Sequence, residues 1–262
     1  MVHKTDTAIS KNSKNIFNFA NIITTTFLFL FVVLAQAQNT PYPYSSTLRR
    51  IVDGDTIHVN VSNTAYKKIR MTNMDTAELH FPDGRGRTVA QPVWGERATQ
   101  KLTELMSAPN ISSDGLVWID DHGLDKYGRT LGVVMLKMAN GQFFDVNLAM
   151  VATGSAHPYF ICTGPDCNET YLARRRIMQY VEACESAKAE QLGVHHPTQG
   201  LAELPFEFRA RMSRTRPSRF VADVTTRQVM APSEYRRIDV CKRIFFNTRE
   251  DAVRAGFDVS RL

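Results

Sequence analysis

The chain has 262 residues, 43% of them hydrophobic, and its 32 lysines and arginines exceed its 26 aspartates and glutamates for a formal net charge of +6. That length accommodates about one domain with an extension. Residues 38–205 carry 16 basic against 18 acidic side chains while residues 206–262 carry 13 against 7, which excludes a uniformly basic chain and puts the positive excess in the tail.

In chain order, Lys4, Lys11 and Lys14 precede an apolar run over residues 22–35 that ends in Ala35-Gln36-Ala37. A basic start, a short apolar stretch and a small-residue end form the pattern of a cleaved secretory signal, here residues 1–37. An uncleaved anchor is the competing reading, but the run is shorter than the roughly 20 residues that cross a bilayer. The mature protein is therefore expected to begin near Gln38, with residues 38–45 a flexible lead-in. It is expected to be secreted or periplasmic, without stable membrane association.

Residues 48–52, 56–61, 66–72, 116–119 and 130–136 alternate or run apolar with β-branched side chains between turn formers, the signature of short strands. Helical periodicity marks residues 93–106, 146–153 and 171–191. Five short antiparallel strands with about three helices predict an α+β protein built on a Greek-key OB-fold barrel.

Chemistry concentrates in three stretches: Val52-Asp53-Gly54-Asp55-Thr56; Arg70 followed by Asp75-Thr76-Ala77-Glu78; and Asp125-Lys126-Tyr127-Gly128-Arg129. Each has an ordinary reading alone: a turn, a capping box and a basic hairpin tip. Together they offer what a hard metal ion and a phosphodiester require. Asp55 and Asp75 supply carboxylates to calcium or magnesium, with backbone carbonyls and water completing the shell. Arg70 and Arg129 present planar forks to phosphate, and Glu78 is spaced to orient or deprotonate a water.

In order and spacing these stretches resemble the staphylococcal nuclease family over residues 46–196. The resemblance implies that Asp55, Asp75 and the Thr76 carbonyl hold Ca2+, that Glu78 is the general base, and that Arg70 and Arg129 bind the scissile phosphate. It further implies nucleotide contacts from Lys126, Tyr127 and the aromatic Tyr159, although a ring packed at the barrel rim explains Tyr159 equally well. The family usually has proline where this chain has Ala77, and the segment between Glu78 and Gly95 is longer than its pattern. The implied activity is that of an exported, monomeric, calcium-dependent endonuclease acting on DNA and/or RNA. The alternative is a catalytically silent OB-fold module that binds nucleic acid.

Cys162, Cys167, Cys184 and Cys241 follow the motif region, and export favours disulfides, foremost among Cys162, Cys167 and Cys184. A zinc site is the weaker option, because the Cys162-x4-Cys167 spacing is not followed by a Cys-x2-Cys or a histidine pair at ligand spacing. His122, His157, His195 and His196 show no ligand spacing and receive no role. Residues 197–219 read as a basic linker with a short helix near residues 202–212; its arginines suit either a polyanion or plain solvation. Residues 220–262 resemble the cysteine zinc module of bacterial DNA alkylation-repair proteins. With Cys241 as its only cysteine, a compact add-on held by Phe245, Phe246, Ala252 and Phe257 and without metal is expected.

Overall fold

The structure, a computed structural model, describes residues 44–111 and 114–262. Residues 1–37, expected to be a secretory signal, and residues 38–43 of the expected lead-in lie outside the described residues. Tyr44 and Ser45, which the sequence suggests are still lead-in, are already strand. The chain opens with β1 (Tyr44–Asp53), β2 (Thr56–Asn60), β3 (Tyr66–Met71), β4 (Asn73–Asp75), β5 (Phe81–Pro82), β6 (Thr88–Val89) and helix α1 (Trp94–Met106). It continues through β7 (Leu116–Leu124), β8 (Thr130–Lys137), β9 (Phe143–Asp145), α2 (Val146–Ala152), β10 (His157–Cys162), α3 (Glu169–Arg174) and α4 (Ile177–Ala189). It ends with α5 (Pro205–Met212), β11 (Phe220–Asp223), β12 (Val229–Met230), β13 (Arg243–Phe246) and α6 (Arg249–Arg254).

The five predicted strands are β1, β2, β3, β7 and β8, and they close a barrel. β1 lies antiparallel to β2 and β7, β2 to β3, and β7 to β8. The closing pair β3–β8 is parallel, with Ile69 opposite Thr130, where the sequence reading had all five antiparallel. Between them the chain passes through β4 to β7, a crossover rather than a hairpin, and a crossover returns a strand in the same direction. Ile57 and Val59, Ile69 and Met71, Val117 and Ile119, and Val134 and Leu136 are all buried in one core. Their two-residue spacing is the strand period that turns alternate side chains inward. α1 covers the barrel through Ala98 and Leu102, four residues apart on one helix face.

The predicted helix over residues 171–191 is two helices, because Arg176 adopts a left-handed backbone (φ 50°) between α3 and α4. The break has partners on both sides. Arg176 pairs with buried Asp145 at 3.1 Å, and Arg175 reaches back to the Thr72 hydroxyl at 3.0 Å.

A second sheet, in the order β12-β11-β13-β10-β4, joins the C-terminal residues to the barrel domain. β13 runs parallel to β10, with Phe160 opposite Ile244, and β10 runs antiparallel to β4, with His157 opposite Asp75. Residues 220–262 therefore extend the same fold instead of hanging beyond a linker. Phe245, Phe246, Ala252 and Phe257 are buried in it. Disulfides link Cys162 to Cys167 and Cys184 to Cys241. The second bridge corrects the expected grouping of Cys162, Cys167 and Cys184. Folding carries Cys241 across 57 residues of chain to α4, a proximity that spacing along the sequence does not reveal.

Candidate active site

The turn between β1 and β2 delivers Asp55. Asp53 accepts the Asp55 N–H at 3.1 Å, and a Cβ on Gly54 would lie 2.6 Å from the Ala98 Cβ and 2.8 Å from the Thr76 hydroxyl. Only glycine allows the turn to approach both α1 and the Asp75–Thr76 segment this closely. Asp55 is 2% exposed; its carboxylate accepts the Thr76 N–H at 3.2 Å and the Thr56 hydroxyl at 3.2 Å.

Asp75 ends β4. Asn73, with φ 67°, turns the chain between β3 and β4, a conformation asparagine tolerates better than most residues. Arg70, on β3 opposite Thr56, then bridges the two aspartates. One guanidinium nitrogen pairs with Asp55 and the other lies 2.7 Å from Asp75 Oδ1.

Glu78 is held by its backbone. Its N–H donates to Gln91 Oε1 at 3.2 Å, and its carbonyl accepts from the Gln91 N–H at 2.7 Å. A Cβ on Gly95, in the first turn of α1, would lie 2.8 Å from that carbonyl. The long segment after Glu78 thus folds back to clamp it.

Arg209 on α5 completes the cluster. Its guanidinium donates to Asp75 Oδ1 at 2.9 Å, to Asp75 Oδ2 at 2.7 Å and to Glu78 Oε1 at 2.5 Å. The sequence reading placed Arg209 in a basic linker suited to either a polyanion or plain solvation and missed this contact. Leu204-Pro205-Phe206-Glu207-Phe208 immediately before it was the available signal, because two phenylalanines in a charged stretch have to be buried somewhere. Gln91 and His157 were missed too. Gln91 links Glu78 to the Glu203 carbonyl at 2.7 Å. His157, far from an exposed histidine, is buried opposite Asp75 with its ring 4.9 Å from that of His195.

Charge and burial set the protonation of the group. Burial pushes the Asp75 carboxyl up, but Arg209 and Arg70 outweigh it and hold the carboxyl below the ordinary range. Burial, helped by neighbouring Asp75, raises Glu78 above it against the pull of Arg209. Arg209 itself is held firmly protonated: its carboxylate partners outweigh the cost of burying it. An elevated carboxyl beside a depressed one divides acid–base work from charge binding.

The connection from Asp125 to Arg129 lies at the same end of the barrel, since Thr130 pairs with Ile69, the neighbour of Arg70. Arg129 Nε is bound to Asp125 at 2.8 Å, and no bond joins it to the three carboxylates among the described residues. Tyr127 is 73% exposed, with Lys126 5.0 Å and Arg129 5.8 Å from its ring centre. Tyr159 is stacked on Phe206 at 5.8 Å and lies 5.2 Å from Phe245, so here its ring covers protein.

The donor set suits a hard cation. Asp55 and Asp75 are buried carboxylates that converge on one guanidinium, and Thr76 lies between them in the same hydrogen-bonded unit. No group of three histidine, cysteine, aspartate or glutamate side chains is arranged to hold a metal among the described residues. Two carboxylates with a carbonyl and water do not need one.

Residues 68–196 match the family described as Staphylococcal nuclease homologue, so this part of the chain is a domain of the staphylococcal nuclease type. β1, β2 and Asp55 precede the matched range and complete its barrel. The chain is 32% identical to Endonuclease YhcR of Bacillus subtilis (strain 168) over 214 residues, 82% of this chain and 16% of that protein. That alignment is longer than the family match, so the likeness continues into the flanking chain. Protein ParB of Escherichia coli is 33% identical over 42% of this chain and 54% of its own length. Micrococcal nuclease of Shigella flexneri is 28% identical over 55% and 70% respectively. The chain thus spans 16% and 54% of the lengths of the first two relatives.

Proposed function

We propose that this protein is a metal-dependent nuclease that hydrolyses phosphodiester bonds of DNA, and of RNA, with little sequence preference. The observation that carries the reading is the buried set of Asp55, Asp75 and Glu78, gathered by arginines at one end of an OB-fold barrel. Endonuclease YhcR and Micrococcal nuclease, both named as nucleases, support it.

Asp55, Asp75 and the Thr76 carbonyl would hold the ion; their hard oxygens suit calcium or magnesium, and we assign it as Ca2+, the ion that the staphylococcal nuclease resemblance implies. When bound, a divalent cation supplies charge neutralisation at a phosphate oxygen. Glu78, with its raised pKa, takes a proton from the attacking water. The water oxygen forms the new bond to phosphorus as the bond to the departing sugar oxygen breaks, and solvent protonates that oxygen. Arg70 and Arg129 donate to the remaining phosphate oxygens, where charge grows most in the transition state. Lys126 and Tyr127 extend the contact along the backbone; phosphate contacts position a nucleic acid without reading its bases.

Export to the periplasm or medium, as a monomer free of the membrane once its leader is removed, is part of the proposal. It is supported by the leader pattern of residues 1–37 and by two disulfides, which persist in oxidising compartments. Incubating the purified protein with plasmid DNA and with RNA, in calcium or in chelator, tests the reading. Cleavage that requires calcium is expected. Binding without cleavage would identify a silent nucleic-acid-binding module instead.

A further inference from the structure

Arg209 reaches the carboxylates from a segment outside the matched family range. Of the tail arginines, Arg211 turns away to Glu203 at 2.6 Å and Arg236 binds Glu207 at 3.0 Å, while Arg209 alone enters the cluster. Its fork takes both oxygens of Asp75 and one of Glu78. We propose that Arg209 is a third active-site arginine that occupies the metal-binding carboxylates of the free protein, so that a divalent cation enters by taking Asp75 away from it. The inference rests on the metal-dependent reading above.

The local charge count carries the argument. Asp55, Asp75 and Glu78 face Arg70 and Arg209, three negative groups against two positive. A divalent ion added with both guanidiniums in place would leave the cluster net positive, with like charges in contact inside a poorly solvated site. Releasing one guanidinium restores neutrality. Arg70 stands on a barrel strand, 15% exposed and shared with Asp55; Arg209 is 24% exposed and holds no part of Asp55. Arg209 is the group that can leave.

Its backbone stays where it is. Phe206 packs against Tyr159, Tyr235 and Phe245, Phe208 lies 6.2 Å from Phe81, and Gln91 binds the Glu203 carbonyl. The release is therefore a swing of one long side chain. Arg209 thereby sets the threshold for metal entry and frees Glu78 to act as a base in the same motion.

Calcium affinity of the purified protein, measured by titration calorimetry without nucleic acid, tests this. Arg209→Gln removes the competing charge and is expected to tighten calcium binding about tenfold or more, the scale of a charge-assisted fork. Arg209→Lys keeps the charge but loses the fork and should tighten it less. Calcium should also raise the melting temperature of Arg209→Gln more than that of the parent. Affinity in Arg209→Gln equal to or weaker than the parent overturns the proposal while leaving the nuclease reading intact. If Arg209→Gln does not fold, Arg209→Lys decides alone: tighter supports, no tighter overturns. Failure of every form, parent included, to bind calcium overturns the metal reading and this proposal with it.

Discussion

The Cys184–Cys241 bridge joins α4 of the nuclease domain to the C-terminal residues, and the loop it closes contains Arg209. Its two cysteines are 57 residues apart, against 5 for Cys162–Cys167. In the chain-entropy relation, a cross-link reduces unfolded-state entropy by 2.1 plus 1.5R ln n cal/mol/K, which at 25 °C gives about 4 kcal/mol for the long loop and about 2 kcal/mol for the short one. All four cysteines are fully buried, so replacing either pair with alanine incurs a similar packing loss, and the difference between the pairs isolates loop length. Against a typical total stability of about 5–15 kcal/mol, the larger loss is substantial. Urea unfolding followed by circular dichroism measures it, with the parent under reducing conditions as control. The double variant of Cys184 and Cys241 should lose about twice what the Cys162 and Cys167 variant loses. Equal losses, or a larger loss from the short loop, would refute the reasoning and show that loop length does not set what each bridge contributes.

Glu78→Gln should slow plasmid cleavage about 100-fold to 10,000-fold while a non-cleavable oligonucleotide still binds; an unchanged rate removes Glu78 from the mechanism. Gly95→Ala sets a methyl 2.8 Å from the Glu78 carbonyl and should cost about 1–3 kcal/mol in urea unfolding, with a fall in activity as Glu78 shifts. Full retention of both would mean that the clamp is slack. His157 is held neutral by burial and by His195, its pKa lowered from 6.5 to about 3. The unfolded chain therefore binds a proton first as pH falls, so the stability from neutral His157 is complete above pH 6.5 and drains away toward pH 3. His157→Leu should flatten the stability–pH curve in that window, and an identical acid slope in both proteins would contradict the assignment.

Much of the barrel was legible because its signals are local. Alternating β-branched strands, turns at Gly54 and Gly128, and the periodicity of α1 each depend on neighbours within a few residues. Asp55, Arg70, Asp75 and Glu78 were legible as a group because two short motifs carry them, and the structure brings these four together at one barrel end. The break at Arg176 was not legible: its left-handed turn is stabilised by Asp145, 31 residues earlier in sequence. Nor was the stacking of Tyr159 on Phe206, which depends on the C-terminal segment returning across the domain.

What the sequence determined by itself was chemical type: hard oxygen donors, guanidinium forks, a leader pattern and cysteines suited to an oxidising compartment. Those properties belong to side chains and short spacings, which need no fold to be read. Only the tertiary structure decided that residues 220–262 share a sheet with the strand carrying Asp75, that Cys241 meets Cys184, and that Arg209 sits on the carboxylates. Each of these joins residues separated by 57 or more positions. Such contacts form when apolar groups such as Phe206, Phe245 and Phe246 leave water together, a collective burial that no single stretch of sequence encodes.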